Sequence, residues 1–172
     1  SSRSGRVARG GQGLEAALRA LTGADGSDTV VAACDGSDQC EVAALVALAL
    51  PSGVLHAAGL VDKGLIKTMR PQQLLTLLAP KASGAVHLHD STARLQLSAS
   101  VLYSSIASAV GNVGQASYSV ANACLDSLSA ARTACGLACS SMQLPFVAGA
   151  GMAQAGLDAM QGCSNVAQTT LV

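Results

Sequence analysis

Apolar positions change their spacing along this chain, and each change marks an element. Leu14, Ala17, Leu18 and Leu21 recur at helical spacing and Gly23 ends that run. The Ser-, Arg- and Gly-rich stretch before them, residues 1–13, reads as a loop. Thr29 to Cys34 is an unbroken apolar, β-branched run, which predicts a strand buried on both faces. Ser37 and Asp38 supply caps for a helix over about residues 39–49. Gly53 to His56 is a second strand, running into Ala57-Ala58-Gly59. Arg70-Pro71 opens a Leu-rich helix that continues past Lys81 to about His89, with Pro80 as a kink or break. Leu97 to Tyr103 is a third strand, followed by Ser104-Ser105. A loop bearing Gly111 and Gly114 leads to a long helix over about 115–134, stopped by Gly136. Ala138 to Leu144 is a fourth strand and Pro145 to Gly151 a loop. Leu157 to Met160 is a short helix within a lid or tail over 156–172.

Helix and strand therefore alternate. Alternation with apolar strands predicts βαβ crossovers and an α/β, Rossmann-like, doubly wound parallel sheet, in a single domain over 1–172. Ligands of such sheets lie at the carboxyl ends of the strands. The residues to inspect are then Asp35, the His56 to Gly59 segment, Ser104-Ser105 and Pro145-Phe146.

Composition narrows the function. Ten Lys and Arg balance ten Asp and Glu, so no net field draws the chain to nucleic acid or to an anionic membrane. Aromatic residues are 2% of the chain, too few for a base-stacking surface. The longest apolar stretch, Glu41 to Leu55, carries Pro51 and Ser52 and is too short to span a bilayer. Arg3, Arg6 and Arg9 precede no apolar signal-peptide core. The six cysteines form no C-x-x-C pair and read as small buried hydrophobes in a reducing, cytoplasmic compartment.

Four polar residues carry the candidate chemistry. Ser105 closes the third strand. Tyr118 and Asn122 share a helix face at i and i+4, and Lys81 sits on the helix before the strand. A phenol can act as general acid toward a carbonyl oxygen once its proton is available near neutral pH. A lysine ammonium about 4 Å away, in an effective dielectric of about 20, favours the phenolate by roughly 4 kcal/mol. That is enough to move a phenol from about 10 toward neutrality. A serine hydroxyl adds a second hydrogen bond to the same oxygen, and an asparagine can order a water that resupplies the proton. His87-Leu88-His89-Asp90 looks like a metal pair, but i and i+2 diverge on a helix and no further ligands cluster there.

From Ser2 to about Ala155 the chain resembles the ketoreductase domain of modular polyketide synthases, within the short-chain dehydrogenase/reductase superfamily. The likeness rests on S-R-S-G at 2–5, A-A-C-D at 32–35 and G-V-L-H-A-A-G at 53–59. It continues with L-A-P-K at 78–81, S-G-A at 83–85, L-Y-S-S at 102–105, G-N-V-G-Q-A-S-Y-S-V-A-N-A at 111–123 and G-A-G-M-A at 149–153. Most of the superfamily carries Y-x-x-x-K. Here Tyr118 is followed by Asn122 and the lysine lies upstream, as in the polyketide variant.

The resemblance implies NADPH-dependent reduction of a β-ketoacyl thioester carried by the phosphopantetheine of an acyl carrier protein, among neighbouring synthase domains. It implies that Tyr118 protonates the ketone oxygen, Ser105 hydrogen-bonds it, Lys81 eases the phenol's proton release and Asn122 supports the relay. Arg3 would meet the adenosine 2′-phosphate and Asp35 the adenine. His56, Ala57, Ala58 and Gly59 would line the middle of the cofactor, with Lys81, Tyr118 and Pro145 completing its contacts.

Departures are equally specific. The family opens with a strand and a T-G-G-x-G-G-L-G turn, which this chain lacks. Gly10-Gly11-Gln12-Gly13 follows no strand and is no substitute. The reading is therefore an interior piece that lacks the first βαβ unit and the carboxyl-terminal end. Where one stereochemical subgroup has L-D-D, this chain has Val61-Asp62-Lys63; where the other has Trp, it has Val110; the first subgroup is the closer. A catalytically silent, structural reductase-like domain is the alternative, motivated by the missing nucleotide turn. A free-standing short-chain reductase fits less well with the upstream lysine.

Overall fold

The computed structural model describes Ala20 and residues 29–60 and 64–145. The expected 1–13 loop, the 14–21 helix, the 156–172 tail, Arg3, Cys163, Val61-Asp62-Lys63 and the loop after Pro145 lie outside the described residues.

The order is α1 (Gln39–Ala49), β1 (Gly53–His56), α2 (Pro71–Leu78), a π-helical turn (Ala79–Ser83), α3 (Gly84–Thr92), β2 (Ala99–Ser105), α4 (Ala107–Val110), α5 (Ala116–Ala134) and β3 (Ser140–Leu144). The strands form one parallel sheet in the order β1-β2-β3. His56 is in register with Leu102, and Ser105 with Leu144. Sequential parallel neighbours require helical crossovers. The first is α2, the π-turn and α3; the second is α4 and α5, and the two crossovers pack on each other.

Local chemistry sets each boundary. Asp38 caps α1, its carboxylate accepting from the Cys40 and Glu41 amides at 2.8 and 3.0 Å. Pro71 occupies the first turn of α2, where no amide hydrogen is missed. Gly136 adopts φ +76° beyond α5. The Leu137 amide bonds the Arg132 carbonyl and the Gly136 amide that of Thr133, a Schellman stop that needs a left-handed residue.

Two small apolar cores result. Cys34, Val42 and Val46 pack with Leu45, Leu88 and Leu95 between α1 and α3. Ala85, Leu102 and Leu125 pack with Leu128 and Cys139 between the sheet and its crossovers. Burial alternates along β2, with Ser100, Leu102 and Ser104 buried and their neighbours less so. Among the described residues, one sheet face is therefore the covered one.

The Rossmann-like expectation holds, with corrections in detail. Among the described residues Thr29 to Cys34 pairs with no strand: Ala33 makes a β-bridge, and Val30 is 80% exposed. Apolar β-branched residues fit a strand only where a neighbour pairs with them. The third strand starts later than expected and includes both Ser104 and Ser105. The interruption expected at Pro80 takes the form of the π-turn, which separates α2 from α3. Of the five described cysteines only Cys34 is buried, while Cys40, Cys124 and Cys135 are exposed, because they fall on outward helix positions and past a helix end.

Candidate active site

The carboxyl end of the sheet assembles the site. Pro80 has no amide hydrogen to give the preceding turn, so the local register slips from i−4 to i−5. The Gly84 amide accordingly reaches the Ala79 carbonyl, and also that of Lys81. This turn carries Lys81 into the protein, where it is 4% exposed. Its Nζ donates to the Tyr103 carbonyl at 2.7 Å, one residue past the last β1–β2 register pair. It lies 6.0 Å from the centroid of the Tyr118 ring.

Burial lowers the Lys81 pKa to about 8, against a partial opposing pull from the Asp126 carboxylate. An ammonium has three N–H donors, and among the described residues Tyr103 accepts from it. Gly59 makes room for the side chain. A Cβ at that position would stand 2.8 Å from Lys81 Cε, closer than atoms tolerate.

Tyr118 and Asn122 follow one another on α5. Asn122 is 0% exposed, and its Nδ2 donates to the Tyr118 carbonyl at 2.8 Å. Its own carbonyl accepts from Ser104 Oγ at 3.3 Å. Among the described residues, none partners the buried Asn122 side-chain oxygen. Such an atom costs stability unless a donor reaches it. Ser105 Oγ accepts from the Ala107 amide at 3.2 Å, which fixes the hydroxyl at the start of α4.

His56 ends β1 with its ring turned inward, 5% exposed, its Nε2 2.9 Å from the Lys81 carbonyl. Burial pushes its pKa below the ordinary histidine range, and the nearby Lys81 charge adds to that. Ala57 and Ala58 follow it at the surface, and Gly59 is half-buried. The Asp35 carboxylate accepts from the Ser37 amide and hydroxyl at 3.0 and 2.7 Å. Pro145 lies exposed just beyond β3. Lys81, Tyr118, His56 and Gly59 are thus brought together by direct contact or close approach. Ser105 and Asn122 sit on the β2 and α5 segments that frame them.

The sequence reading missed Asp126, one turn beyond Asn122. Burial raises its pKa, but bonds from Ser108, Ser141 and Gln143 outweigh that and hold the carboxyl below its ordinary range. Ser108 Oγ reaches Oδ2 at 2.6 Å and Gln143 Nε2 reaches it at 2.9 Å, while Ser141 serves Oδ1. The i+4 spacing from Asn122 was the available signal. His87 and His89 turn to different partners, the Gly36 carbonyl and Arg132. Among the described residues no helix is long and apolar enough to cross a membrane.

The KR domain family matches residues 1–149. Polyketide synthase GfsA of Streptomyces halstedii is 44% identical over 147 residues, covering 83% of this chain and 2% of that protein. Mycoketide-CoA synthase of Mycobacterium tuberculosis is 38% identical over 163 residues, covering 92% of this chain and 4% of that protein. The first ketoreductase of the tylosin polyketide synthase superposes with a TM-score of 0.73 at 38% identity, over 81% of this chain and 31% of that one. A-type ketoreductases from a modular polyketide synthase give 0.73 at 39%, over 82% and 30%. The chain thus spans a few per cent of the curated relatives and about a third of the solved ketoreductases. The chain belongs to the KR domain family, the ketoreductase domains of type I polyketide synthases.

Proposed function

We propose that this chain contributes the catalytic side chains for NADPH-dependent reduction of a β-ketoacyl thioester, presented by an acyl carrier protein, to the β-hydroxyacyl thioester. The observation that carries the reading is the buried Lys81 ammonium, 6.0 Å from the centre of the Tyr118 ring. A solvated helix lysine would not be taken out of water at such cost.

The residues fit a nicotinamide dinucleotide. The Lys81 ammonium retains donors beyond the one given to Tyr103, and ribose hydroxyls are suitable acceptors. Ala57 and Ala58 leave the chain accessible where β1 ends, with no side-chain bulk to keep a flat ring away. Gly59 and Pro145 follow the carboxyl ends of β1 and β3, Asp35 is assigned the adenine, and Arg3 the 2′-phosphate that distinguishes NADPH. When bound, the cofactor supplies the hydride to the ketone carbon.

The chain's own residues manage the proton. Tyr118 donates its phenolic proton to the ketone oxygen while Ser105 hydrogen-bonds that oxygen and stabilises the charge developing on it. The Lys81 ammonium offsets the charge left on the phenolate. The Asn122 oxygen, without a partner among the described residues, would hold a water that returns a proton to this group.

The test measures NADPH oxidation by the intact polypeptide with a β-ketoacyl thioester or the surrogate trans-decalone. Tyr118→Phe is expected to lower turnover at least about 100-fold with NADPH fluorescence on binding retained. Undiminished turnover would refute the assignment. Failure of the intact polypeptide to bind NADPH would favour the silent structural domain.

A further inference from the structure

We propose that His56 is a positioning residue for this reduction: it grips the π-turn at the Lys81 carbonyl and so keeps the ammonium of the same residue against Tyr118. The inference rests on the ketoreductase reading above and adds a residue that acts through Lys81 rather than on substrate.

The geometry is a two-ended hold on one lysine. At the main chain, His56 Nε2 lies 2.9 Å from the Lys81 carbonyl. At the side chain, Lys81 Nζ lies 2.7 Å from the Tyr103 carbonyl. His56 pairs in register with Leu102, so the two anchor points occupy adjoining strands, offset by one residue. A carbonyl only accepts, so His56 Nε2 is the donor and the ring carries its proton there.

The π-turn is what makes the grip necessary. An uninterrupted α-helix fixes each carbonyl by its own i+4 amide. Here the π-turn interrupts that ladder, and the Gly84 amide is divided between Ala79 and Lys81. The external histidine supplies a directed bond where the helix's own is compromised. At Gly84 a Cβ would crowd the Gly36 carbonyl at 3.0 Å and meet His56 Cε1 at an ordinary contact distance of 3.4 Å. The ring is buried and spent on this contact, and it leaves the reacting groups to Tyr118 and Ser105.

The experiment compares His56→Phe, which keeps ring volume without the donor, with His56→Gln, whose amide nitrogen reaches the Nε2 position. Both are made in the intact polypeptide and assayed by NADPH oxidation across pH 6–10, with NADPH binding followed by fluorescence. His56→Phe is expected to lower kcat at least tenfold and to move the alkaline limb of the pH profile. His56→Gln is expected to recover kcat to within about threefold of the native protein. Native turnover in His56→Phe, or equal loss in both variants, overturns the proposal. If His56→Phe does not fold, His56→Gln decides alone: near-native turnover supports the grip, and a tenfold loss in the folded variant rejects it. Tyr118→Phe runs in parallel. If it is inactive while His56→Phe is normal, only the His56 assignment has failed; if it is active, the ketoreductase reading has failed beneath it.

Discussion

Lys81 is the residue whose energetics and function pull in opposite directions. Its folded pKa is about 8 against 10.5 for an ordinary lysine. Between those values the unfolded chain binds more protons than the folded one, so stability rises with pH across that window. Below pH 8 both states are charged, and the fold bears the whole burden of the buried ammonium, about 3 kcal/mol. Lys81→Met should therefore stabilise the protein at pH 7, by about 2 kcal/mol after some loss of packing, and flatten the rise between pH 8 and 10.5. Denaturant titrations at pH 7 and 9.5 read both effects, and turnover in the same variant should be lost. A destabilised Lys81→Met at pH 7 would mean that the lysine is structural. Gly59→Ala makes the complementary test. Its Cβ would sit 2.8 Å from Lys81 Cε, so the lysine must shift and turnover should drop at least tenfold by the NADPH assay, with folding largely preserved.

At the scale of elements, the arrangement depends on one irregular turn and one polar hub. Pro80→Ala restores the missing amide hydrogen and allows the π-turn to relax toward α geometry. Turnover is expected to fall while thermal stability holds or rises; a native rate would show that the turn is fixed by its surroundings instead. Asp126 collects bonds from α4 and β3 onto α5. Asp126→Ala should cost about 2 kcal/mol, read by denaturant titration, because charged hydrogen bonds exceed neutral ones. Its carboxyl lies below the ordinary range, so this stabilisation is present at neutral pH and disappears as acid protonates the group.

These elements also show what the sequence could and could not reveal. Asp38, Pro71 and Gly136 announced their boundaries because capping and termination are local chemistry. The Lys81–Tyr118 pair was legible through its motif. The π-turn was not, since a proline in a helix also permits a kink. His56 and Asp126 bond partners distant in the chain, and nothing in their own neighbourhoods identifies those partners. Thr29 to Cys34 misled for the related reason that a strand is defined by its ladder.

At the scale of the molecule, three parallel strands with two crossovers hold Lys81, Tyr118, Ser105 and Asn122 at one end of a sheet. The likeness to the first ketoreductase of the tylosin polyketide synthase covers 81% of this chain. The central claim is that a buried, charged Lys81 supports proton delivery by Tyr118. The most direct test is the pH dependence of single-turnover NADPH oxidation with a β-ketoacyl thioester, native against Lys81→Met. The account predicts that the native rate declines above about pH 8, where the lysine loses its proton. It also predicts that Lys81→Met is at least about 100-fold slower, with no such decline. A native rate that stays level to pH 10, with Lys81→Met close to it, would contradict the account.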